Sequence, residues 1–497
     1  MRIGDIRPIG TDGSRVMTAL SASRSDDGFS YYDPTHDATR PRENAGHAAV
    51  SGLVAWSLPL TIGSGAPGRL TVTTLAQARR QHLPGTVSRP TPRQELDSDR
   101  EIASVELSRS TSGGAWIARA WGKREGVRIS DDPRLTGGLE PSHTNDAIAT
   151  LGGGAGWRGR AVRDLVLETR VDGSGERFAP GSWTGATAPP GATRAALGLA
   201  SDLEWRAAEG LTLAASGRLD AWADRDANAK AARDEVRPTG HIGAEISVGP
   251  VTFASHAGVL SRAPSFVERF GNHGIFLGNA TLRPEAAWTV DLGARAAGRT
   301  GPFTLRAEVA GFATRADDLI VFVPRGAYGT ARPENIGRAR TVGAEATLEG
   351  RAFGAELRAS YTGLATANLD QCAAQPVVSS CDRPPLPGRP EHDVVLDLSY
   401  GYGPARVRYG ADIVSGIFAD LTGTVQVPAR VLQSTGLRVD VPGAPGLRVA
   451  LDIRNLFDVR SVTYGGVLGP VRAPIGDIYE YPLPGRSFLA SVRYSAE

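Results

Sequence analysis

Apolar and polar residues alternate along most of this chain with a period of two, the spacing that places successive side chains on opposite faces of a β-strand. In the final segment Phe488, Ala490, Val492 and Tyr494 share one face, while Ser487, Ser491, Arg493 and Ser495 share the other; only Leu489 breaks the polar face. The preceding segment sets Leu447, Val449, Leu451 and Ile453 against Arg448, Asp452 and Arg454. Val394 to Tyr402, a Gly403-Pro404 turn and Ala405 to Asp412 read as a hairpin, and the same pattern runs through Trp288 to Arg295, Phe303 to Val309 and Leu70 to Thr73. No helical stripe of comparable length competes.

The connections follow a rule of their own. Tight turns such as Thr11-Asp12-Gly13, Ser112-Gly113-Gly114 and Val441 to Gly446 take turns with long polar loops: Ser25 to Gly46, Arg124 to Thr144, Ala263 to Pro284, Asp317 to Gly337 and Ala367 to Arg389. A meander that is tight at one end and long at the other is what a transmembrane barrel shows, with short periplasmic turns and long extracellular loops. Strands are predicted at 2–10, 14–24, 47–58, 69–80, 101–110, 114–123, 145–156, 160–171, 192–205, 210–223, 236–248, 250–262, 285–297, 302–315, 338–350, 354–366, 391–402, 404–416, 427–441, 446–457 and 486–496. The expectation is therefore an all-β, transmembrane antiparallel β-barrel forming a single domain over 1–497. About 21 of an expected 22 strands are present, because barrels of this kind have an even number.

Composition agrees. The chain has 61 Gly and 33 Pro among 497 residues, too many breakers for long helices to dominate. No uncharged apolar run reaches the length of about 18 residues that a spanning helix needs, whereas a barrel strand needs only about 9 to 11, half of them polar. Lys plus Arg number 55 and Asp plus Glu 53, so no basic field exists to attract nucleic acid. The charges Arg306, Glu308, Arg406, Arg408, Asp412, Arg448, Asp452 and Arg454 all fall on the polar face, expected to line the lumen. A soluble β-sandwich or propeller is the competing reading, but closure alone would satisfy the edges of so many long strands. The opening residues, Met1 to Pro8, carry charges every two or three positions and lack the apolar core of a signal peptide.

Specific motifs narrow the class. Arg262 to Gly271, followed by Gly278 to Glu285, resembles the mid-barrel signature of TonB-dependent outer-membrane receptors, as does Glu334-Asn335-Ile336-Gly337 with Gly343-Ala344-Glu345. Pro387 to His392 resembles the loop-to-strand entry of those receptors; Asn455 to Asp458 and Pro484 to Phe488 resemble their C-terminal hairpin. Each motif alone makes turns; the five in this order are specific. The resemblance implies an outer-membrane receptor and transporter that captures a scarce bulky ligand, such as a ferric siderophore or cobalamin, with its loops. An inner-membrane motor, TonB–ExbB–ExbD, would release that ligand by pulling on a plug domain. No plug, coupling box or signal peptide is visible in the chain, so the expectation is the barrel portion alone, lacking the first strand. A plugless passive porin or a surface-binding barrel is the alternative.

Other chemistries find no support in the sequence. Gly152 to Gly156 lacks a following Lys-Ser/Thr, the eight histidines show no metal-ligand spacing, and no Gly-x-Ser-x-Gly elbow appears. No enzyme activity and no cofactor or metal are expected, and the chain is expected to be monomeric in lipid. The loop residues Tyr31, Tyr32, Phe266, Phe270, His273, Phe276, Arg325 and Tyr328 form a candidate aromatic and cationic vestibule, since ring faces and guanidinium groups suit planar anionic ligands. Loop packing is the competing role for each. Cys372 and Cys381 lie close together in a Pro-rich loop and are expected to form a disulfide outside the membrane.

Overall fold

A computed structural model describes residues 2–9, 13–62, 66–132, 142–181, 191–226, 233–271, 277–325, 330–370, 383–421, 423, 425–466 and 469–495. One antiparallel sheet of 21 strands dominates it, from Arg2–Ile9 to Ser487–Tyr494, and each strand pairs with its sequence neighbour in that sheet. Every segment predicted from alternation is a strand of this sheet. The two edges, Arg2–Ile9 and Ser487–Tyr494, share no ladder among the described residues.

The alternation sorts the two faces as expected. Leu197, Leu199, Leu203 and Trp205 point outward, exposed, and Leu199 lies directly opposite Leu219, itself outward. Trp288, Val290 and Leu292 project outward opposite Arg315, Ala313 and Gly311, while Asp291 faces the lumen. Neighbouring rows of the inner face join by ion pairs across strands: Arg218 to Asp172 at 2.8 Å, Arg170 to Asp202 at 2.9 Å and Arg295 to Glu245 at 2.8 Å. The first strand departs from the rule, since register places Ile3, Asp5 and Arg7 outward opposite Leu20, Thr18 and Val16, with Asp5 and Arg7 paired to each other.

Turns at the tight rim are mostly two residues long and depend on backbone freedom. Phe353 and Gly354 both take positive φ, 51° and 84°, the combination that lets a two-residue turn match the twist of its strands. Phe353 meets Phe303 edge to face at 5.4 Å and is largely exposed, an aromatic contact suited to the membrane interface. The Gly152 to Gly156 run is strand within Ser142–Val162, and it is closely packed. A Cβ on Gly152 would sit 2.6 Å from the Trp121 ring, and one on Gly154 2.6 Å from the Val171 carbonyl oxygen.

Two predicted loops are largely strand. Of Arg124 to Thr144, Arg124–Asp131 continues the strand Gly114–Asp131. Asp317 to Gly337 is split between Phe303–Arg325 and Thr330–Ala352. The strand predicted at 101–110 likewise runs Pro90–Thr111, leaving only 86–89 as its connection on the long-loop rim. Above the hydrocarbon both faces of a strand meet water, so alternation fades although the ladder continues. Small two-stranded pieces, Ser30–Asp33 with Ala38–Pro41 and Ser461–Gly466 with Gly469–Pro474, decorate that rim.

The outward face sets the first prediction. Leu199→Arg, mid-strand and facing lipid, destabilises the folded state in vesicles by about 2–4 kcal/mol. Asp202→Asn, which only breaks an exposed lumen pair, costs under about 1 kcal/mol. Denaturant unfolding from phospholipid vesicles measures both, and equal costs for the two would refute the assignment of faces.

Candidate functional site

The long-loop end of the lumen holds a dense cluster of charged and aromatic side chains. Phe178, Arg194 and Asp224 stand on three successive strands, Leu165–Pro180, Ala192–Ala208 and Leu211–Asp226, all on the inner face by register. The described parts of the next connection, 263–271 and 277–284, fold inward onto them. The connection begins with the short helix Phe266–Phe270, whose Ser265 hydroxyl accepts from the Glu268 N–H while the Glu268 carboxylate accepts from the Ser265 N–H at 2.7 Å, a reciprocal cap. Arg262 grips the same carboxylate with two bonds of 2.9 and 3.0 Å and donates to Glu285 at 2.6 Å. The strand end and the helix start are thereby one unit.

Two contacts seat the helix. Phe266 stacks on Phe178 at 6.0 Å and Phe270 stacks on Phe178 at 6.1 Å, with Ala192 buried beneath. Beside them the Asp224 carboxylate accepts from Arg194 at 2.6 and 2.8 Å and from Arg269, with Asp224 and Arg269 only 3% and 2% exposed. Arg194 also donates to the Pro264 carbonyl at 2.9 Å. A buried carboxylate with two guanidinium partners is strongly held, since removing either side strands a charge at a cost of about 3–5 kcal/mol. Farther along, Arg233 donates to the Leu282 carbonyl, and the Asn279 amide donates to the Pro333 carbonyl at 2.9 Å. Asn335 exchanges bonds with both backbone groups of Arg283. The motif residues therefore tie their loop to the wall.

A second cluster lies on the rim. The guanidinium of Arg472, in the connection 455–486, lies over the Tyr32 ring at 4.2 Å and reaches Asp37, whose carboxylate accepts from the Tyr32 hydroxyl at 2.8 Å. Arg42 sits over Tyr31 at 5.6 Å and donates to the Gly85 carbonyl. Glu480 bonds back to the 86–89 turn through the Val87 N–H and the Ser88 hydroxyl, and Arg430 bridges Asp412 and Asp477. Described residues of this connection thus bind the 86–89 turn, the Tyr32–Asp37 piece and the strand ends at Asp412 and Arg430. Nearer the tight rim the lumen wall carries a recess of about 620 Å³, where Arg351, Arg358, Arg406 and Arg408 alternate with Glu349, Glu356 and Asp397.

Among the described residues, the predicted vestibule positions fall in separate places. Tyr31 and Tyr32 are buried in the rim cluster, Phe266 and Phe270 belong to the inner-wall cluster, and Arg325 ends the strand Phe303–Arg325. His273, Phe276, Tyr328, Cys372 and Cys381 lie outside the described residues. Phe178, Arg194, Asp224, Arg42 and Arg472 were not foreseen. Each looks like an ordinary strand or loop residue in sequence; the one local signal nearby, the capping-box spacing Ser265-x-x-Glu268, was not read as such. No group of metal-ligating side chains occurs among the described residues.

Glu268 makes the inner-wall cluster pH-sensitive. Burial alone pushes its carboxyl up, but the Arg262 guanidinium and the Ser265 N–H outweigh that and hold it below its ordinary 4.5. A lowered folded pKa gives stabilisation that is complete above about pH 4.5 and lost as pH falls through the folded value. Measured against an unfolded reference peptide that corrects for pepsin's own pH profile, cleavage within 263–284 is therefore slower at about pH 5 than at lower pH; a Glu268→Gln variant loses most of that difference. Equal corrected cleavage of the parent at both pH values contradicts the assignment.

Comparison with known proteins fits this architecture. The family model "TonB dependent receptor-like, beta-barrel" matches residues 23–456. No curated protein sequence matches. Among solved structures, the chain is similar to the copper transporter OprC, at 18% identity and a TM-score of 0.76, covering 98% of this chain and 78% of that one. It is also similar to the FrpB iron transporter from Neisseria meningitidis, at 14% identity and 0.73 over 99% and 78%, and to the ferric yersiniabactin uptake receptor FyuA from Yersinia pestis, at 14% and 0.70 over 99% and 77%. With its match extending over most of its length, this chain belongs to the TonB-dependent receptor β-barrel family of the outer membrane.

Proposed function

We propose that the protein is the barrel of an outer-membrane receptor that captures a scarce bulky ligand, of the ferric siderophore or cobalamin kind, with import energised by TonB in the complete, plug-containing protein. The family match over 23–456 carries this reading. The architecture supports it, because a barrel of this strand number encloses far more space than its own side chains fill, as suits a large cargo. The similar structures are described as copper and iron transporters and as a ferric yersiniabactin receptor, which favours a metal-bearing ligand. Capture falls to the long-loop rim. There Tyr31 and Tyr32 act indirectly by holding Arg42 and Arg472, while Tyr479 and Tyr481, in the connection that carries Arg472, stay half-exposed and open to a ligand.

Uptake of radiolabelled ferric siderophores and of cobalamin by cells bearing the complete receptor, with this barrel and a plug, tests the reading. Accumulation that stops when the proton gradient is collapsed supports it. Accumulation of one of these ligands that persists without the gradient shows a passive pore, and failure to accumulate or bind any of them overturns the proposal. The pair Cys372–Cys381 is proposed to close a small loop on the same rim, stabilising that loop by about 2–3 kcal/mol in the chain-entropy account. Mass spectrometry of unreduced protein from the outer membrane shows a mass two hydrogens below the dithiol; two free thiols would exclude the bond.

A further inference from the structure

We infer that the inward-folded segments 263–271 and 277–284 form a fixed ledge that sets the size limit of the lumen. Selection by size then resides in wall-anchored residues, apart from whatever the rim loops do. The inference concerns the pore itself and stands whether or not the uptake reading does.

The anchors define a chord. At one end Phe266 and Arg269 are held by Phe178 on Leu165–Pro180 and by Asp224 on Leu211–Asp226. At the other, Asn279 is bonded to Pro333 and Arg283 to Asn335, both on Thr330–Ala352. Between Leu165–Pro180 and Thr330–Ala352 lie six further strands of the sheet, so the anchored residues belong to well-separated sectors of the inner wall. A segment tied to two such sectors of a curved sheet runs across the arc and occupies the space the arc encloses.

The anchoring is also of the kind that does not swing. Leu282 is fully buried and Phe266 nearly so, Asp224 and Arg269 are buried with charge-assisted bonds, and both backbone groups of Arg283 are bonded to one side chain. Opening this segment breaks a buried ion cluster, an aromatic stack and several buried backbone bonds together, unlike rim loops held by exposed pairs. Its place on the inner face means that a solute passing from the rim to the tight end meets it.

The test uses the purified full chain in planar bilayers, with neutral polyethylene glycols of graded size to find the largest that enters the pore. Replacing 264–283 by a short Gly-Ser linker removes the ledge, and Asp224→Ala loosens one end of it. Expected are a rise in single-pore conductance of about twofold or more for the linker variant with a larger polymer cut-off, and an intermediate change for Asp224→Ala. If the parent is silent, the linker variant conducts. Heat-modifiable mobility on gels identifies folded protein. Conductance and cut-off unchanged in an inserted linker variant overturn the inference. Should neither variant fold, hydrogen exchange on the parent decides: amides of Gly271, Asn279 and Leu282 exchange as slowly as those of the strands if the ledge is fixed, and as fast as exposed loops if it is not.

Discussion

Hydrocarbon offers no partner to a backbone N–H or C=O, and every other feature of this protein follows from that constraint. It forces the chain into one continuous antiparallel ladder and makes each strand two-faced, because one side meets lipid and the other water. It also pushes irregular backbone to the rims or into the lumen, where it can be satisfied by protein. The segments 263–271 and 277–284 are the lumen case. Their turns and short helix are tolerable inside the barrel because Arg194, Arg233, Asn279 and Asn335 supply bonds that the ladder does not.

The strands were legible in the sequence because lipid enforces the two-residue period so strictly. Their ends were not. Pro90 to Asp99 reads as a polar loop, yet Gln94, Leu96 and Ser98 pair in register with Leu83, Gln81 and Arg79. Outside the bilayer a ladder persists on backbone bonding alone, which leaves no trace in side-chain type. The same blindness hid the inner-wall cluster. Arg194 and Asp224 are inward charges like a dozen others, and only the fold shows that Arg269, from a loop far along the chain, joins them.

Aromatic residues illustrate why composition misleads about loops. Tyr31, Tyr32, Phe266 and Phe270 have the chemistry of a ligand vestibule, and the structure spends their faces on Arg472, Arg42 and Phe178. A ring in a long loop is as valuable for fixing the loop as for meeting cargo. The half-exposed Tyr479 and Tyr481 lie between the Asn455–Asp458 and Pro484–Phe488 motifs, in a stretch that the sequence did not single out.

The ion pairs that line the lumen have a consequence for traffic. Arg170, Arg218, Arg295, Arg358 and Arg406 each already face a carboxylate within reach across the sheet. A wall whose positive and negative groups neutralise one another at close range projects little field into the space it bounds. A charged solute beside these pairs therefore meets a weaker field than the number of charges in the sequence suggests.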